Sequence, residues 1–432
     1  AHTGSGALTL KTSSGKAYID GDFTRTGSGA LTLACGLQYA DDVLIDGTGN
    51  LTLPADTLRG TGASGQFHVG STVGTVSSAN TILRFDGTTG MVLDDDKGVV
   101  FNQLVLEVNA KLTSSGGATT TLQRNLTPLL TIRNGASLTI NRQLNFTPTG
   151  SIRYFNFGDG YTWNGSATLW LNISTSSAIC TIPAVSYTGT GAVYISPTTT
   201  QIVSHVLSGN LSAPNASLRP YDWTGGNHTF RQNGYAITAK DFIYGGLQAS
   251  SVFTAHLNAG ITVTGNINST AYNTGTITIN DTAQWTVGGN MTWQSTHNYV
   301  NGGATWVFNG TGTQTVTSAG RFAPDSIACT GSGTVSLPDN LTCGALRVSS
   351  GTLNVSGDTL TVSRSVTTHG SADWIFDANS LLYMNMDGAR IGMSVGDTLP
   401  KTKIIGSLNL DSGGTMQQLI MMSDGDTIRF QN

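Results

Sequence analysis

The string TGSGALTL occupies Thr3–Leu10 and returns unchanged at Thr26–Leu33. A close copy, DGTGNLTL, follows at Asp46–Leu53, so the offsets are 23 and then 20 residues. Self-similarity at a period of roughly 20 to 50 residues is the signature of stacked-repeat architectures. Each copy is a glycine-rich turn followed by a short strand in which apolar and polar residues alternate. The repeat therefore predicts an all-β fold of the β-solenoid type.

The same turn-and-strand unit recurs along most of the chain, with apolar residues on one face of each short strand and mostly Ser, Thr or Asn on the other. Further copies run over Gly135–Ile140, Gly165–Leu171, Gly191–Ile195, Gly260–Val263, Gly275–Ile279, Gly289–Trp293, Gly303–Phe308, Gly333–Leu337, Gly351–Val355 and Gly406–Leu410. Their spacing varies, which is expected when strands stack in register while the turns differ in length. We therefore favour a right-handed parallel β-helix.

Asn-Gly pairs favour a different all-β arrangement, because they are hairpin signals. Five such pairs occur, at Asn134-Gly135, Asn164-Gly165, Asn233-Gly234, Asn301-Gly302 and Asn309-Gly310. The alternative fold is therefore a series of antiparallel β-sandwich or meander repeats.

The composition disfavours helices and excludes two kinds of partner. Only 11% of the residues are charged, the net charge is −4, Gly accounts for 55 of 432 residues, and Glu107 is the only glutamate. Because the chain has no basic stripe, we expect no nucleic-acid partner. Because it has no run of roughly 18 apolar residues, we expect no membrane span.

Two regions depart from the repeat pattern and set the predicted domain boundaries. Arg84–Gly98 indicates an elaborated turn or a junction, and the chain from Leu381 onward holds six of its eight methionines. A Met-rich apolar surface suits a C-terminal cap or an assembly contact. We therefore divide the chain into N-terminal coils over 1–83, a main solenoid body over 84–380, and a Met-rich segment over 381–432.

The stretch Gly303–Val366 contains ATWVFNGTGTQTVTSAGRF and then GTVSLPDNLTCGALRVSSGTLNVSGDTLTVS. It resembles the repeats of large secreted bacterial and phage-associated β-solenoid surface proteins. Leu207–Ala239 is similar to a degenerate copy of the same repeat. The resemblance implies a solenoid at a cell or virion surface, as in adhesins, filaments and tail-fibre-like proteins. It carries no catalytic residue over to this chain.

Aspartates are the main candidates for acid chemistry or cation binding, and no pair of them stands in a hydrolase motif. Asp94, Asp95 and Asp96 are a Ca²⁺ candidate, although consecutive residues of a strand point in alternating directions and converge only if the chain bends. The seven histidines lack metal-ligand spacing. We therefore predict no catalytic residue, no enzyme activity and no cofactor other than this candidate Ca²⁺.

Tryptophans are the candidate contacts for sugar rings. The seven tryptophans lie mostly in or beside predicted strands, where exposed rings in a row could stack against a glycan. Trp285, Trp293 and Trp306 are the candidate stacking residues. The competing interpretation is that tryptophans fill the solenoid interior or a subunit interface.

The four cysteines are too few for a disulfide scaffold. Cys329 and Cys343 lie 14 residues apart and are either small buried core residues or a disulfide pair. Candidate glycosylation sites follow the Asn-x-Ser/Thr pattern at Asn125, Asn164, Asn210, Asn227, Asn290 and Asn340.

These patterns together indicate an extracellular structural protein, a subunit of a surface filament, sheath or fibre. It would self-assemble through β-strand edges, so its partner would be further copies of itself. The alternatives are an adhesin or tail-fibre protein that binds cell-surface glycan, and a polysaccharide lyase or hydrolase.

Overall fold

The computed structural model describes residues 1–12, 15–78, 80–87, 90–113, 119–122, 129–141, 143–146, 152–173, 178–197, 200, 202–222, 224–246, 248, 250–269, 276–369, 372–411, 414–421 and 427–431. Over these residues the chain is all-β, with parallel strands stacked as a β-solenoid of about 15 turns. The predicted fold class is confirmed, and the antiparallel alternative is wrong for the described strand pairs. The right-handed sense of the coil stays a prediction.

The chain divides into two compact units, Ala1–His228 and Thr229–Asn432. The strands begin with β1 (Leu8–Leu10), β2 (Ala17–Ile19), β3 (Phe23–Arg25), β4 (Leu31–Leu33), β5 (Leu37–Tyr39), β6 (Val43–Ile45), β7 (Leu51–Thr52), β8 (Thr57–Gly60), β9 (Ser64–Val69), β10 (Val76–Ser77), β11 (Ile82–Phe85), β12 (Gly90–Asp95), β13 (Val100–Phe101), β14 (Gln103–Leu106), β15 (Ala110–Thr113), β16 (Thr120–Leu122), β17 (Leu130–Ile132), β18 (Ser137–Ile140), β19 (Leu144–Phe146), β20 (Ile152–Arg153), β21 (Phe155–Phe157), β22 (Thr162–Gly165), β23 (Leu169–Ile173), β24 (Ala178–Ile182), β25 (Val185–Ser186), β26 (Val193–Pro197), β27 (Ile202–Leu207) and β28 (Leu211–Asp222). The predicted division at 1–83, 84–380 and 381–432 stays a prediction.

The chain continues with β29 (Asn227–Arg231), β30 (Ile237–Gly246), β31 (Val252–Leu257), β32 (Gly260–Val263), β33 (Ile267–Ser269), β34 (Thr276–Asp281), β35 (Gln284–Val287), β36 (Met291–Thr292), β37 (His297–Asn301), β38 (Thr305–Phe308), β39 (Gln314–Thr317), β40 (Ser326–Cys329), β41 (Thr334–Ser336), β42 (Leu341–Val348), β43 (Gly351–Asn354), β44 (Thr359–Thr368), β45 (Ala372–Ile375), β46 (Leu381–Met384), β47 (Ala389–Gly392), β48 (Thr398–Leu399), β49 (Lys401–Ile404), β50 (Ser407–Asp411), β51 (Thr415–Met416), β52 (Leu419–Met421) and β53 (Thr427–Gln431).

Successive coils of the first unit add strands to the same sheets. One sheet has the order β1-β4-β7-β10, a second β2-β5-β8-β11-β14-β17-β21, and a third β3-β6-β9-β12-β15-β18-β22. Leu8, Leu31 and Leu51 are consecutive register partners, and Leu31 and Leu51 are fully buried. The leucines of the TGSGALTL repeat therefore form a ladder that faces the core.

The glycines of the repeat are needed because the turns stack directly on one another. A Cβ atom on Gly29 would lie 1.9 Å from the carbonyl oxygen of Gly6 in the preceding coil. A Cβ atom on Gly49 would lie 2.0 Å from the carbonyl oxygen of Gly29. Only a residue without a side chain allows this approach, which explains why the turn sequence repeats along with the strand.

An Asn-Gly pair forms a tight turn here without forming a hairpin. Asn233 and Gly234 both have positive φ, at 55° and 81°, as such a turn requires. The strand that follows, β30, pairs in parallel with β32 and β33. The pair therefore changes the chain direction between coil faces, which is why the hairpin interpretation failed.

The second unit carries a buried ladder of large side chains. Ile261, Trp285, Trp306 and Ile327 are consecutive register partners on β32, β35, β38 and β40, and all four are buried. A β-strand alternates its side chains between two faces, so the polar neighbours of these residues lie on the outer face.

Candidate functional site

Four outward-facing residues of the first unit stand in line on neighbouring strands. The register pairs Asn145 with Trp170, Trp170 with Tyr194, and Tyr194 with Arg219. The residues on either side of Trp170 are leucines that are 2% exposed, and Tyr194 is likewise flanked by buried apolar residues. Because side chains alternate along a strand, this burial directs both aromatic rings outward.

The indole of Trp170 is covered on one face. It lies parallel to the ring of Tyr194, with 4.1 Å between centroids and 5° between planes. The guanidinium of Arg219 lies 5.0 Å from the Tyr194 ring centroid, and its Nη1 donates a 2.6 Å hydrogen bond to the Tyr194 hydroxyl. These contacts restrict the rotation of both rings and leave the opposite side of the indole toward the coil of Asn145.

An open pocket of about 400 Å³ lies at this place, and we call it the Trp170 pocket. Its lining combines one aromatic ring with amides and hydroxyls. The lining residues are Gln143, Asn145, Trp170, Asn172, Ser196, Pro197 and Thr224. The described residues that line the pocket include no Lys, Arg, Asp or Glu.

Two polar residues line the Trp170 pocket from buried positions. Asn172 and Ser196 are register partners, and they are only 6% and 0% exposed. Ser196 donates a 3.0 Å hydrogen bond to the Pro197 carbonyl. Over the residues that the structure describes, the Asn172 side-chain oxygen Oδ1 has no hydrogen-bond partner. A buried oxygen without a hydrogen-bond donor costs about 1 to 3 kcal/mol.

The three tryptophans predicted to stack on sugars are buried, so that prediction is wrong for them. Trp285, Trp293 and Trp306 are only 2%, 2% and 1% exposed. Trp285 and Trp306 stack on each other in the core, with 4.3 Å between their centroids. The competing interpretation, that they fill the solenoid interior, is confirmed.

A buried carboxylate orders this aromatic core. Asp281 is 1% exposed and accepts hydrogen bonds from the indole nitrogens of Trp285 and Trp306 and from the Tyr299 hydroxyl. Burial raises the pKa of Asp281, and these hydrogen bonds oppose the rise. The residue satisfies donors that would otherwise be unpaired in the core, which is a structural role.

The sequence signal for the Trp170 pocket is alternation. Trp170 stands between Leu169 and Leu171, and Tyr194 stands between Val193 and Ile195. An aromatic residue between two core residues of a strand points away from the core. By the same rule Trp285 shares its face with Val287, which places it inside. The alternation of inward and outward side chains, applied to each tryptophan, identifies Trp170 as an outward-facing ring.

The three consecutive aspartates do not form one cluster, so the Ca²⁺ candidate as predicted is wrong. Asp95 is fully buried, and its carboxylate accepts hydrogen bonds from the backbone N–H groups of Lys97, Gly98 and Val99 and from the Thr120 hydroxyl. Burial raises the pKa of Asp95 against the effect of these bonds. The alternation of the strand separates it from the residues on either side.

Asp94 and Asp96 instead lie near a histidine on the outer face. His68 Nδ1 lies 2.9 Å from Asp94 Oδ2, and His68 Nε2 lies 3.3 Å from Asp46 Oδ1. Burial acts to lower the pKa of His68, but the two carboxylates outweigh it and the net shift is upward. Sequence spacing missed this histidine, because its partners come from neighbouring coils.

Of the two predicted alternatives for Cys329 and Cys343, the structure shows buried core residues and not a disulfide pair. Cys329 and Cys343 are both buried free thiols, so no disulfide joins them. Burial raises the pKa of each thiol to about 12. A thiol in this state is unreactive near neutral pH.

The candidate glycosylation sites differ in exposure. Asn210, Asn227, Asn290 and Asn340 are exposed, Asn164 is half-buried, and Asn125 lies outside the described residues. The side-chain oxygen of Asn290 accepts a hydrogen bond from the Thr315 backbone, and that of Asn340 accepts one from Thr359. Their modification stays a prediction.

In the described part of the chain, no helix has the length and apolar character needed to span a membrane. Comparisons with protein-family models, curated proteins and solved structures found no match.

Proposed function

We propose that the chain binds glycan at the surface of a cell or virion through the Trp170 pocket. The observation that carries this proposal is the arrangement of a clamped aromatic face beside a buried, unsatisfied amide oxygen. Tyr194 fixes the indole of Trp170, and Asn172 supplies the oxygen. The proposal keeps the surface location that the sequence resemblance implies.

The lining chemistry matches a sugar better than other small ligands. A sugar ring offers an apolar C–H face for stacking and a rim of hydroxyls for amides and hydroxyl groups. Phosphate ligands are most often held by Lys or Arg, and neither lines the described pocket. The volume of about 400 Å³ lies at the low end of the range for small-molecule sites, which is roughly 300 to 1,000 Å³.

The pocket favours binding over cleavage. Glycoside hydrolysis requires two carboxyl groups placed on either side of the scissile bond. No carboxyl group is among the described residues that line the Trp170 pocket. The polysaccharide-cleaving alternative therefore has no support at this site.

A glycan array probed with the labelled wild-type chain tests the proposal. The matched variants are Trp170→Ala, which removes the stacking face, and Tyr18→Ala, which removes an aromatic side chain that is 73% exposed elsewhere on the same unit. We expect the wild type and Tyr18→Ala to bind the same glycans and Trp170→Ala to lose them. Equal binding by all three chains, or no binding by the wild type, would contradict the proposal.

A second candidate function is structural, as a subunit that self-associates through strand edges. The observation that favours it is the way successive coils pair: parallel strands add to the same sheet in register, as β1, β4, β7 and β10 do. The same pairing can join an edge strand to a strand of another copy.

Electron microscopy of the purified chain at low and high concentration tests this second function. Self-association predicts filaments that lengthen with concentration, and a Leu10→Asp variant should shorten them because it places a charge on the edge. Particles of constant size at every concentration would contradict it.

A further inference from the structure

A histidine and three carboxylates meet on the outer face of the third sheet of the first unit. His68 lies on β9, and its register partner Asp94 lies on β12. The ligand atoms of His68, Asp94 and Asp96 all lie within 4.8 Å of one another. We propose that these three residues bind a divalent transition-metal ion, with Zn²⁺ as the reference ion. The site involves none of the residues of the Trp170 pocket.

The spacing of the donor atoms suits a metal ion. His68 Nδ1 and Asp94 Oδ2 are 2.9 Å apart. Bonds from zinc to nitrogen and oxygen are about 2.0 to 2.2 Å long, so neighbouring ligand atoms of one ion are about 3 Å apart. The ion would lie between these two atoms and take a third bond from the Asp96 carboxylate, leaving a position for water.

The second ring nitrogen of His68, Nε2, already has a carboxylate partner of the kind found beside metal-bound histidines. A histidine ligand usually donates its other ring N–H to a carboxylate, which fixes its tautomer. His68 Nε2 lies 3.3 Å from Asp46 Oδ1. With the proton on Nε2, the lone pair of Nδ1 faces the Asp94 oxygen, and a cation between these two atoms would bond to both.

The carboxylate of Asp94 is also held in place by neighbours. Gln66 Nε2 donates a 2.9 Å hydrogen bond to Oδ2, and the Thr113 hydroxyl donates a 3.2 Å hydrogen bond to Oδ1. Within the described residues, the only ion pairs of Asp46 and Asp94 are those with His68. Among the described residues, no Lys or Arg forms an ion pair with these two carboxylates.

The donor set selects the class of metal. One imidazole and two carboxylates suit Zn²⁺ and related transition ions, whereas Ca²⁺ requires six to eight oxygen ligands. The ion would join β9 to the segment after β12 in the next coil. Binding should therefore stabilise the first unit against unfolding.

Thermal unfolding of the full chain with EDTA, Zn²⁺ or Ca²⁺ tests the proposal, together with calorimetric titration of Zn²⁺ alone. At Zn²⁺ concentrations near 100 times the dissociation constant, we expect the Tm of the first unit to rise by roughly 5 to 10 °C. His68→Gln and Asp96→Asn should each lower Zn²⁺ affinity at least tenfold. The control His369→Gln changes an exposed histidine of the second unit and should leave the titration unchanged.

These side chains are only partly buried, so the variants should fold as the wild type does, and unfolding in EDTA checks this. An absent Zn²⁺ effect in the wild type would overturn the proposal. So would a Zn²⁺ effect that His68→Gln leaves intact, or stabilisation by Ca²⁺ equal to that by Zn²⁺.

Discussion

Trp170 lies flat against Tyr194, with 5° between the two ring planes. The strand register sets this contact, because the two residues are direct partners on β23 and β26. Arg219 holds Tyr194 from the other side through a hydrogen bond to its hydroxyl. An aromatic face fixed before a ligand arrives loses little side-chain entropy on binding. The pocket is therefore preorganised.

Replacing Trp170 and replacing Trp306 should have opposite consequences. Trp170→Ala should weaken glycan binding at least tenfold, or about 1.4 kcal/mol, and lower the free energy of unfolding by only about 1 kcal/mol. Trp306→Ala should cost about 3 to 5 kcal/mol of stability, because that indole is buried and bonded to Asp281. Titration calorimetry and denaturant unfolding measure both quantities. Similar stability losses in the two variants would contradict the assignment of inside and outside.

The Asn172→Ala substitution should weaken glycan binding without lowering the free energy of unfolding. The substitution removes a buried oxygen that lacks a donor, so the free energy of unfolding should stay unchanged or rise by up to about 1 kcal/mol. Glycan affinity should fall about tenfold, since the ligand loses its acceptor. Urea unfolding and calorimetry test the two effects. A stability loss well above 1 kcal/mol would show that the amide has a structural role instead.

Gly29→Ala should destabilise the first unit, whereas Gly6→Ala should not. A Cβ atom on Gly29 meets a backbone oxygen at 1.9 Å, but a Cβ atom on Gly6 has no neighbour within 4 Å. The first substitution should cost about 1 to 3 kcal/mol. Denaturant unfolding of the two variants provides the comparison. Equal stability would show that the stacked turns tolerate side chains.

Acid should destabilise the first unit through a buried histidine pair. His205 and His228 are 0% and 1% exposed, and their rings are joined by a 3.0 Å contact between Nδ1 and Nε2. Burial lowers the pKa of His228 to about 3 and lowers the pKa of His205 as well. An unfolded histidine titrates near 6.5, so below that pH the unfolded state binds more protons than the native state.

Stability should therefore be full above about pH 6.5 and fall as the pH decreases, by up to about 1.4 kcal/mol per pH unit for each histidine. Urea unfolding from pH 7.5 to pH 5 measures the slope. His228→Gln should flatten it because one titrating group is gone. The same slope in both chains would show that other groups cause the acid sensitivity.

The sequence predicted the solenoid because its repeat encodes two properties of the fold. Gly29 and Gly49 mark turns that stack without side chains, and Leu31 and Leu51 mark strands that stack in register. An Asn-Gly pair does not distinguish the two folds, since the same backbone conformation serves a hairpin and a corner between coils.

The candidate sites were harder to predict because they depend on register between coils. His68 lies 26 residues from Asp94 and 22 residues from Asp46 in sequence. Turn lengths vary from coil to coil, so no fixed spacing identifies these partners. Asn172 looks like an ordinary outward strand residue, and only the structure reveals that its side chain is buried.

The most direct test of glycan binding at the Trp170 pocket is a crystal structure of the chain with the glycan selected by the array. We expect a sugar ring against the indole of Trp170, with a hydroxyl within hydrogen-bond distance of Asn172 Oδ1. A glycan bound elsewhere on the chain, with the Trp170 pocket empty, would contradict it.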